Sequence, residues 1–134
     1  MVYRPGGIEP YMTRLFLAIV GIAYLGLAAW CALKPGQTSN SVGLTLQPGS
    51  GQSEYLVVYG GLQLGLGLIF LWPLLKSDTE QFVLVMCVVI HACLVLMRSI
   101  SLVIYPGIQS TTYALAVVEW LILLGSLWRF FSRG

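Results

Sequence analysis

Four apolar segments, each close to the length that crosses a bilayer, constrain this chain more than any other feature. They lie at about residues 11–33, 54–75, 81–104 and 112–131, and we call them helix 1 to helix 4. A hydrocarbon core about 30 Å thick needs ~20 apolar residues in a helix, and each segment approaches or exceeds that length. The pattern predicts an all-α membrane protein in which residues 1–134 form one domain, a four-transmembrane-helix antiparallel bundle.

The composition agrees with a membrane protein. Of the 134 residues, 57% are hydrophobic and 9% are charged, whereas soluble domains carry about 25% charged residues. The net charge of +2 is too small and too scattered to favour nucleic-acid binding. Cys31, Cys87 and Cys93 lie in apolar runs without ligand spacing, so we expect no disulfide framework, no metal site and no cofactor.

The basic residues predict which way the helices run. A long polar loop, residues 34–53, joins helices 1 and 2, and short turns at 76–80 and 105–111 join the others. The residues flanking one side of the segments are Arg4, Arg14, Lys76, Arg129 and Arg133, and only Lys34 flanks the other. By the positive-inside rule both termini are cytoplasmic and the 34–53 loop faces outward.

Arg98 and Glu119 are charged residues inside apolar segments. Arg98 precedes Ile104 by six residues, which places it about 9 Å inside the outer end of helix 3. Glu119 follows Thr112 by seven residues, which gives a similar depth, about 10 Å, in helix 4. Because a short turn makes helices 3 and 4 neighbours, the two side chains can meet at one level.

Helical spacing extends this pair into two polar stripes. Helix 3 places His91 and Arg98 on one face, and helix 4 places Glu119 and Ser126 on one face. Glu54 and Tyr59 of helix 2 lie toward the same outer side and complete the predicted polar cluster. Two interpretations remain open: the cluster only holds the helices together, or it forms the floor of a polar pocket that opens outward.

His91 and two glycines carry further alternatives. His91 lies near the middle of the bilayer, where it either hydrogen-bonds a neighbouring helix or continues a proton path below Arg98. Gly61 and Gly65 form a GxxxG pair on helix 2, which predicts a close helix approach within the monomer or between subunits.

Three stretches resemble a known family. "SEYLVVYGGLQLGLGL", "HACLVLMRSISLVIYPG" and "VVEW" resemble a small bacterial membrane family catalogued as domain of unknown function 4345, which is similar to DoxX-like four-helix proteins. The resemblance covers roughly residues 11 to 131 and places the family pattern on Glu54, Tyr59, Gly60, Gly61, Arg98 and Glu119. It implies a four-helix bundle and a bacterial inner (cytoplasmic) membrane location, but no chemistry.

The sequence favours a binding or accessory role. We expect a small protein that holds a lipid, quinone or other hydrophobic ligand, or that docks on a membrane complex as an accessory subunit. The alternative is an oligomeric transporter or channel component for protons or small solutes. Catalytic motifs are not evident, so we expect no enzyme. The expected partners are membrane lipids and further copies of the chain or a larger complex.

Overall fold

Four long helices dominate the computed structural model, which describes residues 7–133. Helix 1 runs over Glu9–Leu33, helix 2 over Ser50–Leu74, helix 3 over Glu80–Ile104 and helix 4 over Ser110–Ser132. All four are long and apolar enough to cross a membrane, which confirms the all-helical prediction and the count of apolar helices. Large apolar side chains point away from the bundle on every helix; Leu15, Leu68, Met97 and Leu121 are examples.

The loop between helices 1 and 2 is partly helical, which differs from the prediction. A short helix, Pro35–Ser41, which we call the loop helix, follows helix 1 directly. Pro35 suits its first turn, where a missing backbone N–H is no loss. The side chains of Thr38 and Ser39 donate hydrogen bonds to carbonyls one turn earlier. Helix 2 then begins at Ser50 rather than at Glu54.

Helix 2 is not one regular α-helix. Its α-helical ends, Ser50–Tyr55 and Gln63–Leu71, flank a π-helical segment at Leu56–Leu62. Trp72–Leu74 closes it as a 3₁₀ turn containing Pro73, which cannot donate a backbone hydrogen bond. Because a π-helical segment bonds each N–H five residues back, it rotates the side chains that follow relative to a regular helix.

Helices 1 and 2 pack closely, and helices 3 and 4 form the second close pair. Gly21 and Gly67 bring the first pair together, because a methyl group on Gly67 would lie 3.0 Å from the Gly21 carbonyl oxygen. The hydrophobic core joins the pairs near one end of the bundle. Its buried members are Leu17, Val20, Phe70, Val83, Leu84 and Cys87.

The two ends of the bundle are held by different contacts. At the end we call the charged end, Arg129 of helix 4 pairs with Glu9 of helix 1, and Arg14 of helix 1 lies beside Glu80 of helix 3. At the opposite end, the loop end, the Tyr55 hydroxyl donates to Thr38 Oγ1 at 2.8 Å. With its amide in the hydrogen-bonding orientation, Gln109 donates to the Ser41 carbonyl at 2.7 Å, which ties the loop helix to the turn between helices 3 and 4.

Candidate functional site

The structure brings Arg98 and Glu119 together. Arg98 Nε lies 3.1 Å from Glu119 Oε2, and Arg98 Nη2 lies 2.8 Å from Glu119 Oε1. Two parallel bonds between a guanidinium and a carboxylate are the strong, orientation-fixing form of such a pair. The Arg98 side chain stays 28% exposed and that of Glu119 13% exposed. The pair therefore joins helices 3 and 4 while part of it remains accessible.

Arg98 has hydrogen-bonding capacity left over. A guanidinium carries five N–H donors, and the two bonds to Glu119 use two of them. The other three N–H donors meet no acceptor among the described residues. Ser101 bonds to the Arg98 backbone carbonyl at 2.8 Å and so does not serve these donors. The Arg98 side chain is partly exposed.

His91 has a partner that the sequence interpretation missed. The Tyr24 hydroxyl of helix 1 lies 2.9 Å from His91 Nε2, and His91 Nδ1 lies 2.8 Å from the Cys87 carbonyl oxygen. Because that carbonyl only accepts, the hydrogen-bond network assigns the proton to Nδ1, and Nε2 accepts from Tyr24. His91 is fully buried. Its two nitrogens are both satisfied, which agrees with the interpretation that it bonds a neighbouring helix.

Two polar layers thus follow each other along helix 3. His91 and Arg98 are seven residues apart, about 10 Å along the axis and on the same face. The lower layer, Tyr24 with His91, lies over the dry core, where Leu17, Phe70 and Leu84 are fully buried. The upper layer, Arg98 with Glu119, lies toward the loop end. Among residues 7–133, no hydrogen bond joins the two layers directly.

Glu54 does not join the pair as predicted, and Tyr59 forms no hydrogen bond with either member among the described residues. Within the described residues Glu54 forms no ion pair or hydrogen bond with Arg98 or Glu119, and it is exposed. The adjacent Tyr55 is the residue that points inward, to Thr38 and Cys31 Sγ, so Glu54 faces a different direction one position earlier. The Tyr59 ring stacks on Tyr55 with ring centroids 4.4 Å apart.

Gly61 and Gly65 are open inside the monomer. A methyl group added to either glycine would meet no atom within 4 Å. The close approach of helix 2 uses Gly67 instead, against Gly21 of helix 1. The within-monomer alternative for the GxxxG pair is therefore not observed, and the between-subunit alternative stays a prediction.

The charged end contains ion pairs that the sequence analysis did not anticipate. Arg129 is buried; its Nη2 lies 2.6 Å from Glu9 Oε2, and its Nε lies 3.1 Å from Thr13 Oγ1. Buried Glu80 lies between Arg14, at 3.1 Å, and Arg133, which pairs with its other carboxylate oxygen. A signal was present, because Arg129 continues the helix 4 stripe of Glu119 and Ser126 at helical spacing.

Two cavities lie on the surface of the bundle, and neither touches the Arg98–Glu119 pair. The larger, about 500 Å³, lies between helices 2 and 3. The smaller, about 320 Å³, lies along Ser99, Ile100, Val103 and Ile104 of helix 3. The pair therefore does not form the floor of either of these two cavities. Within residues 7–133, no three His, Cys, Asp or Glu side chains converge to hold a metal ion.

Comparison with known proteins identifies a family and nothing more specific. A family model described as a domain of unknown function (DUF4345) matches residues 12–130, nearly the whole chain. No curated protein and no solved structure matches the chain. The family resemblance predicted from the sequence is confirmed by that match.

Proposed function

The chain belongs to the DUF4345 family, a domain of unknown function, and we propose that it is a ligand-binding protein of the bacterial inner membrane. In this proposal the four helices cross the bilayer antiparallel, with both termini and the charged end on the cytoplasmic side. The basic residues near the charged end support that orientation, because the positive-inside rule assigns the side richer in Lys and Arg to the cytoplasm and gives acidic residues little weight. These residues are Arg14, Lys76, Arg129 and Arg133. We also propose a relationship to DoxX-like four-helix proteins, which the four apolar helices support.

The open donors of Arg98 are the observation that carries the binding role. An arginine about 9 Å inside a transmembrane helix leaves three N–H groups without an acceptor among residues 7–133. Unpaired donors at this depth are costly, and a partly exposed guanidinium can receive an acceptor oxygen from a bound molecule. Glu119 holds the guanidinium in one orientation, and the Arg98 side chain remains 28% exposed.

The ligand class follows from the surroundings of the pair. The molecule must carry an acceptor oxygen, as a lipid phosphate, a lipid ester or a quinone carbonyl does, and an apolar body that lies against lipid-facing side chains. Leu94, one turn before Arg98 on the same face of helix 3, is such a side chain and is partly exposed. The same surface suits an accessory subunit that presents the pair to a larger membrane complex.

Retention of the ligand tests this role. We expect native mass spectrometry and solvent extraction of the protein, purified in mild detergent, to reveal a bound lipid or quinone. Arg98→Gln should lower its occupancy about tenfold, because hydrogen bonds to a charged donor contribute about 1.5–3 kcal/mol. The matched control is Lys34→Gln, which removes an exposed cation at the loop end and should leave occupancy unchanged. No retained ligand or partner, or equal losses in both variants, would contradict the role.

Transport is the second candidate, and the Tyr24–His91 hydrogen bond favours it. The bond places a second titratable layer about 10 Å below Arg98 on the same face of helix 3. An oligomer would be needed, because fully buried apolar side chains fill the core below His91. The test measures proton flux into proteoliposomes that contain the protein or its Glu119→Gln variant. A lower flux in the variant would support this candidate, and an unchanged flux would contradict it.

We propose no catalytic role. The Cys87 thiol lies 3.6 Å from His91 Nδ1, the one contact in the described chain that resembles a nucleophile beside a base. Both residues are fully buried, so a substrate has no access to the sulfur. In addition, His91 Nδ1 already bonds the Cys87 carbonyl.

A further inference from the structure

An open apolar groove runs between helices 2 and 3 near the charged end. Its volume of about 500 Å³ falls in the range of small-molecule sites, ~300–1,000 Å³. Its apolar walls are formed by Leu68, Ile69 and Trp72 of helix 2 and by Phe82, Val83 and Met86 of helix 3. The groove exists because helices 2 and 3 each pack mainly on another partner and touch each other chiefly near their connecting turn.

The groove is apolar along nearly its whole length and begins at the turn between helices 2 and 3. Thr79 lines the end at the turn, where its hydroxyl donates to the Lys76 carbonyl at 2.7 Å, and every other lining residue is apolar. From Thr79 to Met86 is seven residues, about 10 Å along helix 3. An apolar groove that begins at a polar turn matches the chain of an amphiphile whose head lies at that turn.

Its length distinguishes a lipid from a partner helix. A transmembrane helix of another subunit crosses the whole hydrocarbon core, about 30 Å, and would leave a seam along the full length of helices 2 and 3. The groove instead ends at Leu68 and Met86, within the half of the bilayer next to the charged end. A chain confined to one leaflet fits that extent.

The turn at the groove mouth offers two opposite charges. Lys76 and Asp78 are both exposed, and within the described residues neither takes part in an ion pair. Glu80, the next acidic residue, is buried and forms ion pairs with Arg14 and Arg133. The mouth therefore presents one available cation and one available anion, which complement a headgroup that carries both a phosphate and an ammonium group.

We infer that this groove binds an acyl chain of a zwitterionic aminophospholipid, with the lipid phosphate at Lys76 and its ammonium group at Asp78. The inference rests on the membrane insertion proposed above and is independent of the Arg98–Glu119 ligand site. Trp72, half-exposed in the groove wall near the turn, suits the interface between headgroups and chains. The bound lipid belongs to the leaflet at the charged end, whereas the Arg98 site lies toward the loop end.

Photocrosslinking tests the inference. The whole protein is reconstituted into bilayers of ethanolamine-headgroup phospholipid that contain a trace of the same lipid with a photoreactive acyl chain, and adducts are mapped by mass spectrometry. We expect adducts concentrated between residues 68 and 86. Leu68→Trp, which fills the groove, should lower them about fivefold. Leu121→Trp makes the same change on an exposed face of helix 4 and should leave them unchanged.

Substitutions of the charged residues at the turn provide a second measurement, which does not alter the packing of the groove walls. Lys76→Gln should lower the adducts by up to about fivefold, since an exposed ion pair contributes at most about 1 kcal/mol, whereas Lys34→Gln should not lower them. Competition with glycerol-headgroup phospholipid should favour the ethanolamine lipid, and Asp78→Asn should abolish that preference.

Several results would overturn the inference. The inference is wrong if adducts are spread evenly over the four helices or if Leu68→Trp and Leu121→Trp have equal effects. It is also wrong if no headgroup is preferred or if the groove crosslinks to another protein. Arg98→Gln separates the two proposals, because it should reduce the ligand of the Arg98 site and leave the groove adducts intact. Release of the protein from membranes by alkaline carbonate would contradict the membrane insertion on which both proposals depend.

Discussion

Two buried or half-buried arginines show how single residues divide between structural and open roles. Arg129 is 4% exposed and donates to Glu9 and Thr13 through both Nε and Nη2, so helix 1 surrounds it with acceptors. Arg98 is 28% exposed and bonds one residue, Glu119. The first arrangement fixes helix 4 to helix 1. The second fixes helix 4 to helix 3 and still leaves donors for another molecule.

The Arg98–Glu119 pair predicts a non-additive loss of stability. Arg98→Ala should cost about 2–4 kcal/mol, because it leaves a carboxylate unpaired inside the bundle. Adding Glu119→Gln to that variant should recover part of the loss, since the unpaired charge is then removed. Thermal unfolding of the single and double variants in detergent measures both effects. Additive losses would mean that the two side chains do not stabilise each other.

At the scale of the helix, helix 2 shows why spacing alone misplaced a packing motif. Gly61 and Gly65 have the GxxxG spacing, but Gly61 lies in the π-helical segment and both glycines face open space. Gly67, two residues beyond Gly65, faces Gly21. The π-helical segment changes the phase between the two halves of helix 2, so a regular 3.6-residue pattern does not identify the contact face.

The effect of a glycine-to-alanine substitution on stability should therefore differ between the glycines of helix 2. Gly67→Ala should lower stability by about 1–3 kcal/mol, because its methyl group would lie 2.7 Å from Leu25 Cδ2 and 3.0 Å from the Gly21 carbonyl oxygen. Gly61→Ala and Gly65→Ala meet no atom within 4 Å and should be neutral or slightly stabilising in the monomer. Thermal unfolding compares the three variants.

The same series decides the remaining alternative for Gly61 and Gly65. If they form a contact between subunits, Gly61→Ala should shift the oligomeric state measured by light scattering in detergent while leaving monomer stability intact. A Gly61→Ala loss equal to that of Gly67→Ala would contradict the packing described for helices 1 and 2.

At the scale of the molecule, the bundle is closed unevenly. Apolar packing is concentrated toward the charged end, around Phe70 and Leu84, where Arg129 also ties helix 4 to helix 1. Toward the loop end, polar contacts of the loop helix with Tyr55 and Gln109 connect the two helix pairs. The end with the looser apolar packing is the one that carries the open Arg98–Glu119 pair.

Orientation in the membrane is a testable property of the whole molecule. With Cys93→Ser as background, we expect Thr45→Cys to react with a membrane-impermeant maleimide in intact spheroplasts, because the positive-inside rule places the 34–53 loop outside. Ser77→Cys should react only after the membrane is permeabilised. The reverse pattern would contradict the proposed orientation, and labelling of both positions in intact cells would contradict a single topology.

Much of the fold was predictable because the signals for it are local. Long apolar runs specify helices of membrane length, and the depth of Arg98 and Glu119 follows from the rise per residue. Their meeting was predictable because the turn between helices 3 and 4 is short. Tyr24 was missed because its partner lies 67 positions away, on a helix whose rotation about its own axis is fixed only by packing.

The sequence by itself determined the helical class, the number of apolar helices, the family and the partnership of Arg98 with Glu119. Each depends on hydrophobicity, on helical rise or on one short turn. Only the tertiary structure decided which glycines touch, that Glu54 faces away from the pair, that His91 bonds Tyr24, and that Glu80 is buried between two arginines. Those facts depend on how each helix rotates and where it meets its neighbours, which packing between distant segments sets and local spacing does not.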